Sequence, residues 1–246
     1  MIRLLLIVLL AVPLLAAPGR LERATIAGRP VAVYTPAGYD ASRKAPYDLI
    51  VFFDGDNYIE ELDAVKVLDA LPHPPVALFV DNSADRLGDL ANHRKFADYM
   101  ATELIPAIRV RWNITRDPAH ATLAGFSAGG LGAAYVAFRH PEVFGNVISE
   151  SGAFWRGNEG TSEPAEWLTE QFKTSARLPL KFYIDVGAAE AHRVFNGVVF
   201  IDANRRLRDV LKAKGYSVEY IEVPGAHHEP GHWKRSLPAA IGYYFR

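Results

Sequence analysis

Cysteine is absent from the 246-residue chain, and neither sign of charge dominates it. Without cysteine there is no disulfide framework, no thiolate nucleophile and no cysteine-ligated zinc site, so covalent catalysis would fall to serine, threonine, lysine or a carboxylate. The 27 basic and 28 acidic residues give a net charge of −1. This balance offers no basic stripe that would follow a phosphate backbone, and we expect no nucleic-acid partner.

An uninterrupted apolar run occupies residues 4–12, after the basic Arg3 and before the small residues Ala16 and Ala17. This succession is typical of a secretory signal peptide, which we predict over residues 1–17. An uncleaved membrane anchor is the alternative, but a bilayer-spanning helix needs about 20 apolar residues. We therefore expect a secreted or periplasmic mature chain with no stable membrane association.

The remainder, residues 18–246, alternates short apolar segments with segments of helical spacing and forms one predicted domain. We predict strands at residues 48–53, 76–80, 121–124, 147–149, 180–186 and 218–223, and helices at residues 58–71, 92–109, 128–138, 202–214 and 233–245. Near-continuous apolar strands separated by helices indicate an α/β fold, a mostly parallel, doubly wound sheet. Residues 24–34 resemble an antiparallel edge hairpin, and residues 156–171 suit a small lid but are too few for a large cap.

The strongest chemical motif is Gly125-Phe-Ser127-Ala-Gly129, between a predicted strand and a predicted helix. A nucleophilic serine in this setting lies on a tight turn, which needs small neighbours two residues before and after it. The N-terminus of the following helix offers N–H groups and the positive end of its dipole to a developing oxyanion. Because glycine and serine also favour ordinary turns, the motif takes its meaning from the strand–turn–helix context.

Two later loops supply the partners that a serine nucleophile needs, an acid and a histidine. Glu190 follows one predicted strand, and the adjacent His227 and His228 follow the next. The chain order of serine, acid and histidine is that of the α/β hydrolases. Taken singly, each loop has an ordinary explanation, a helix cap for Glu190 and an exposed turn for the histidine pair. His232 is a third histidine close to the same loop.

Further motifs are spread over the chain from about Val31 to the C-terminus. They are Asp54-Gly55, Arg86-Leu-Gly-Asp89-Leu90, Glu103-Leu-Ile-Pro106, Ala124-Gly-Phe-Ser-Ala-Gly-Gly130, His140-Pro-Glu-Val-Phe-Gly145, Ser149-Glu-Ser-Gly-Ala-Phe-Trp155 and a Gly-x-x-His with a later Trp233. Together they resemble the enterochelin (siderophore) esterase-like branch of the serine α/β hydrolases, which is related to esterase D, the feruloyl esterases and the mycolyltransferases. The resemblance implies an α/β-hydrolase fold and ester hydrolysis, and it says little about the substrate.

The resemblance also implies a role for each member of a triad. Ser127 matches the nucleophile, and Glu190 matches the acid at a position where the family often has Asp. The spacing Gly-x-x-His before Trp233 selects His228 as the base. The shorter Gly-Gly-His form of the motif would select His227 instead.

An oxyanion hole and a substrate cleft follow from the same resemblance. The hole would use the backbone N–H of Ala128 and a second N–H from the loop after the first parallel strand, at Gly55 or Asp56. The substrate-binding candidates are Arg86 and Trp155, each with a structural alternative, and Tyr58 beside the oxyanion loop. Arg86 matches a family arginine near the cleft, or forms a surface ion pair with Asp89. Trp155 lines an acyl or aryl pocket, or packs in the core.

These features predict a secreted serine carboxylesterase that acts on a small-molecule ester, with siderophore ester hydrolysis as the favoured specialisation. The alternatives among enzymes are a feruloyl or acetyl esterase of plant polysaccharide and an acyltransferase. A catalytically inactive, ligand-binding hydrolase scaffold is the alternative outside enzymes. No cofactor is expected, and the eight histidines form no His-Glu-x-x-His metal motif.

Overall fold

A computed structural model describes residues 17–245 of the chain. The predicted signal peptide therefore lies outside the described residues, except for Ala17. Within the described range, no helix combines the length and the apolar composition that a membrane span requires.

The described residues form an eight-stranded sheet and a two-stranded hairpin. The strands of the large sheet are β1 (Arg20–Ile26), β2 (Arg29–Thr35), β3 (Leu49–Phe53), β4 (Val76–Val80), β5 (Ala121–Phe126), β6 (Asn146–Glu150), β7 (Lys181–Gly187) and β10 (Ser217–Val223). The hairpin strands are β8 (Val194–Phe195) and β9 (Val198–Val199). The large sheet has the order β1-β2-β4-β3-β5-β6-β7-β10. Strands β1 and β2 are antiparallel, and β2 is antiparallel to β4. All other neighbours in this sheet are parallel, which confirms the predicted mostly parallel sheet with an antiparallel N-terminal edge.

Both faces of the sheet are covered by helices, which explains why β3 and β4 are continuous apolar runs. The helices are α1 (Gly55–Glu60), α2 (Ala64–Asp69), α3 (Arg86–Leu90), α4 (Arg94–Tyr99), α5 (Ile105–Arg111), α6 (Ala128–Arg139), α7 (Trp167–Thr174), α8 (Phe200–Ala213) and α9 (Pro230–Tyr244). Every residue of β3, β4, β5 and β6 is buried. Val51 belongs to a core shared with α6 and α8, and Phe52 belongs to a second core shared with α1, α2 and α9. A strand with covered faces on both sides gains from apolar side chains at every position.

Two predicted helices differ in detail from the observed ones. The segment predicted as one helix over residues 58–71 is split into α1 and α2, because Asp63 has a φ of +55° and cannot continue a right-handed helix. The segment over residues 92–109 runs from α4 through a π-helical turn, Met100–Leu104, into α5. Pro106 lies at the start of α5, directly after this π-helical turn.

The parallel strands bring their carboxyl ends to one edge of the sheet. The loops after β3, β5, β7 and β10 carry Asp54, Ser127, Glu190 and His228 respectively. Ligands of open α/β sheets bind at this edge. Residues distant in sequence are thus brought to one place by the strand order alone.

Candidate active site

Ser127 lies in a strained turn between β5 and α6. Its φ of 54° and ψ of −119° are rare for a residue with a side chain, and such strain is typical of a nucleophile held at the top of a hydrolase sheet. The turn explains its glycines. A Cβ on Gly125 would lie 2.3 Å from the backbone of Gly129, and a Cβ on Gly129 would lie 2.9 Å from a carboxylate oxygen of Asp54.

The structure brings Ser127, His228 and Glu190 into one hydrogen-bonded line. The Ser127 Oγ lies 3.0 Å from Nε2 of His228, and Nδ1 of the same ring lies 2.7 Å from Oε2 of Glu190. His227 is exposed. His232 is buried, with its Nε2 3.4 Å from Oδ1 of Asp185. Of the three candidate histidines, His228 therefore has the geometry of a base for Ser127.

The Glu190 carboxylate is buried, with 1% of the residue exposed, yet it is well provided with donors. Its Oε1 accepts hydrogen bonds from the Ser151 hydroxyl at 2.6 Å and from the Gly187 N–H at 2.9 Å. Burial acts to raise the pKa of Glu190, but the hydrogen bonds from His228, Ser151 and Gly187 together hold this pKa below its ordinary value. An ionised Glu190 is the form that can orient a histidine and stabilise its cation.

The two predicted sources of a second oxyanion donor differ in the structure. The N–H of Asp56 donates to Oδ1 of Asp81 at 3.0 Å, so the prediction of this amide as a free donor is wrong. Gly55 remains the candidate on the loop after β3. Ala128 is buried and is the first residue of the 12-residue helix α6, whose N-terminus faces the site.

Arg86 binds a different carboxylate from the one considered in the sequence. Its Nη2 lies 2.6 Å from Oδ2 of Asp54, and its Nε also donates to Asp54. Asp89 pairs with Arg29 instead, at 2.7 Å, so an Arg86–Asp89 surface pair is not formed. Asp54 is 3% exposed, and Arg86 supplies the charge that balances this buried carboxylate beside the glycine turn.

A cleft of about 190 Å³ opens over the Ser127–His228 pair. Its wall is rich in aromatic and arginine side chains, namely Arg86, Trp155, Arg156, Arg193, Phe195 and Phe200. Trp155 is 9% exposed and stacks on Phe195 with ring centroids 4.6 Å apart, so it both lines the cleft and packs into the core. Burial, together with the nearby charge of Arg86, lowers the pKa of Arg156.

Tyr58 does not line this cleft, and the prediction that placed it there is wrong. The side chain is fully buried and belongs to the core on the opposite face of the sheet from Trp155. Its hydroxyl donates to Oε2 of Glu150 at 2.8 Å. The apolar spacing of α1 turns this residue inward, below the sheet edge rather than toward the substrate.

The hairpin β8–β9 was not predicted, although it supplies Phe195 to the cleft. Asn196 and Gly197 have φ values of 50° and 76°. An Asn-Gly pair between two apolar dipeptides is a strong signal for a two-residue hairpin turn, and it could have revealed this element. Among residues 17–245, no group of three or more histidine, aspartate or glutamate side chains is placed to hold a metal ion.

Comparison with known proteins matches nearly the whole described chain to one family. The family model for Esterase, described as "Putative esterase", matches residues 24–244. The iron(III) enterobactin esterase of Dickeya dadantii is 28% identical over 217 residues, which cover 81% of this chain and 48% of the relative. The iron(III) salmochelin esterase of Escherichia coli O6:H1 is 30% identical over 185 residues, covering 68% and 44% respectively. The chain spans about half the length of these curated relatives.

Solved structures share the fold. The enterobactin esterase of Shigella flexneri, crystallised in the presence of enterobactin, aligns with a TM-score of 0.75 at 23% identity, over 93% of this chain and 58% of that one. A ferulic acid esterase aligns with a TM-score of 0.71 at 15% identity, over 93% of this chain and 97% of that one. These alignments confirm the α/β-hydrolase fold.

Proposed function

Because the chain belongs to the Esterase family, in its enterochelin esterase-like branch, we propose that it is a serine hydrolase of carboxylic esters. The observation that carries this proposal is the line from Ser127 through His228 to Glu190, with contacts of 3.0 Å and 2.7 Å. Ser127 attacks the ester carbonyl while His228 takes its proton, and the same proton then goes to the leaving alcohol. Water resolves the acyl-enzyme by the same route.

The oxyanion of each tetrahedral intermediate lies at the N-terminus of α6. The Ala128 N–H donates to it, and the Gly55 N–H is proposed as the second donor. Asp54 lies beside this place, where an unbalanced carboxylate would oppose a developing negative charge. Its double contact with Arg86 supports the proposal, because the ion pair removes most of that opposing charge.

The lining of the cleft supports an aromatic, anionic acyl group as the substrate, such as the catecholate arm of a ferric siderophore ester. The guanidinium of Arg156 lies 4.6 Å from the Trp155 ring, and that of Arg193 lies 5.5 Å from the Phe195 ring. Planar, electron-rich groups stack on such surfaces and attract cations. The cleft volume of about 190 Å³ is below that of a drug-sized pocket, so it fits one arm and leaves the rest of the molecule outside.

Feruloyl ester hydrolysis is the second candidate, since the stacked Trp155–Phe195 pair also suits an uncharged aromatic acyl group. A comparison of kcat/KM for a ferric trilactone, methyl ferulate and p-nitrophenyl acetate separates the two. Arg193→Gln should lower kcat/KM for the anionic trilactone by about tenfold, and it should leave the neutral acetate unchanged. Arg177→Gln, on the distant Tyr216 ring, is the matched control.

The hydrolase proposal itself is tested by a fluorophosphonate probe and by product analysis. Labelling at Ser127 with turnover of p-nitrophenyl esters supports it, whereas ligand binding without labelling supports the inactive scaffold. Transfer of the acyl group to an added alcohol, in excess over hydrolysis, supports an acyltransferase. Export through the signal peptide is also a proposal, and N-terminal sequencing of the chain recovered from the periplasm tests it.

A further inference from the structure

The second carboxylate oxygen of Glu190 has hydrogen-bond donors of its own. While Oε2 faces His228, Oε1 accepts the Ser151 hydroxyl at 2.6 Å and the Gly187 N–H at 2.9 Å. Ser151 is fully buried and directly follows β6. It belongs to the Ser-Glu-Ser-Gly motif, whose role the triad by itself does not explain.

The direction of the Ser151 hydrogen bond is determined by its other partner. The indole Nε1 of Trp233 lies 3.2 Å from the Ser151 Oγ, and an indole N–H can only donate. The oxygen of Ser151 therefore accepts from Trp233, and its single proton is directed to Glu190. The Trp233 ring is itself stacked on the ring of Phe126, with 4.3 Å between the centroids. Phe126 is the residue directly before Ser127.

The backbone holds Ser151 in this place. Its N–H donates to the carbonyl of Asp185 in β7 at 2.7 Å. Its φ of 49° is costly for a residue with a side chain, and such a conformation persists only where the surroundings enforce it. The loop after β6 is thus tied to β7, to α9 through Trp233 and to the acid after β7.

We propose that Ser151, held by the Trp233 indole, is a positioning residue that keeps the Glu190 carboxylate turned so that Oε2 alone faces His228. The inference rests on the proposed function, in which Glu190 orients the base. When His228 takes the Ser127 proton, its Nδ1–H remains bonded to Oε2 and no proton passes to Glu190. Ser151 makes this possible by occupying Oε1 and stabilising the ionised carboxylate.

Three titratable groups face Glu190: His228 on the loop after β10, Asp185 in β7 and His232 in α9. Loss of the Ser151 donor raises the pKa of Glu190, because a hydrogen bond to a carboxylate stabilises its ionised form. The acidic limb of the pH profile of kcat/KM reports the groups that must lose a proton before the free enzyme is active. It should move to higher pH when the donor is removed.

The test compares kcat, KM and pH profiles for p-nitrophenyl butyrate between the full chain and three variants. Ser151→Ala should lower kcat by about 10- to 100-fold with little change in KM, as expected for a lost hydrogen bond to a charged group. Trp233→Phe keeps an aromatic ring on Phe126 and removes the N–H together with part of the indole, so a loss of about 2- to 10-fold is expected. Ser149→Ala is the matched control, since this buried hydroxyl has no hydrogen-bond partner among residues 17–245.

An unchanged kcat and an unchanged acidic limb in Ser151→Ala would overturn the inference. So would a lower kcat without a movement of the limb, because that pattern indicates general loosening. If Ser151→Ala does not fold, an unchanged Trp233→Phe overturns the inference by itself. A wild-type chain that is neither active nor labelled by fluorophosphonate would contradict the hydrolase proposal itself. This result differs from an active wild type with an unaffected Ser151→Ala variant, which contradicts only the role of Ser151.

Discussion

Two buried acidic sites lie next to each other at the carboxyl edge of the sheet and behave in opposite ways. Glu190 has three hydrogen-bond donors and a lowered pKa. Glu150 and Asp185, paired across β6 and β7, are fully buried, and both have a raised pKa. Burial raises the pKa of Asp185 to about 7. Burial alone therefore does not determine the pKa of a carboxyl group here: the donors around Glu190 outweigh its burial, whereas the charge of Asp185 adds to the effect of burial on Glu150.

The largest expected effect follows from removing His228, the residue that links the Glu190 carboxylate to Ser127. His228→Ala should lower kcat by about 10⁴- to 10⁶-fold, since Ser127 then has no base. His227→Ala should cost at most about tenfold, because His227 is exposed and touches neither partner. Steady-state rates on p-nitrophenyl butyrate measure both. The reverse ranking would show that His227 is the base.

The next effect compares the two acidic sites directly. Glu190→Gln should lower kcat by about 10³- to 10⁴-fold, because the amide cannot stabilise a histidine cation. Glu150→Gln, at the end of β6, should change kcat by less than about threefold, because burial raises the pKa of this carboxyl and it bonds Tyr58 and Ser236 rather than Ser127 or His228. Similar losses in both variants would show that the two sites work as one.

Asp54 is a third buried acidic site, and it extends the comparison to an acid that is balanced by a cation. Arg86→Ala removes both of its guanidinium contacts and should cost about 1–3 kcal/mol in the free energy of unfolding at pH 7.5. Adding Asp54→Asn should recover at least half of that loss, because no unbalanced charge remains. Urea unfolding measures the three variants. A double variant less stable than the single one would contradict this account.

The smallest effect concerns pH and stability. The raised pKa of Asp185 means that the folded chain holds a proton that the unfolded chain releases, so stability falls as pH rises from about 4 to about 7. Asp185→Asn cannot ionise and should raise Tm by a few degrees at pH 8 and by much less at pH 5. Thermal unfolding of both proteins at the two pH values checks the sign. An equal gain at both pH values would point to packing instead of charge.

Local patterns in the sequence were sufficient to predict the strands of the large sheet, the turn around Ser127 and the order of serine, acid and histidine. A strand covered on both faces is mostly apolar, and a serine turn needs small residues close by in the chain. Such constraints act over a few residues, and they remain readable in one sequence. The resemblance of the spacing before Trp233 also selected His228, the histidine that lies against Ser127 in the structure.

The tertiary structure alone decided which polar groups meet. The partner of Arg86 is 32 residues away rather than three, the Asp56 amide is occupied by a carboxylate 25 residues away, and Tyr58 turns into the opposite core. Ser151 meets Glu190 across 39 residues of chain. These contacts depend on the strand order and on the paths of the loops at the sheet edge. Both bring together residues that are distant in the chain, so no short sequence pattern predicts the contacts. The triad could therefore be predicted from the sequence, whereas the hydrogen bonds around it, from Ser151 to Glu190 and from Arg86 to Asp54, could not.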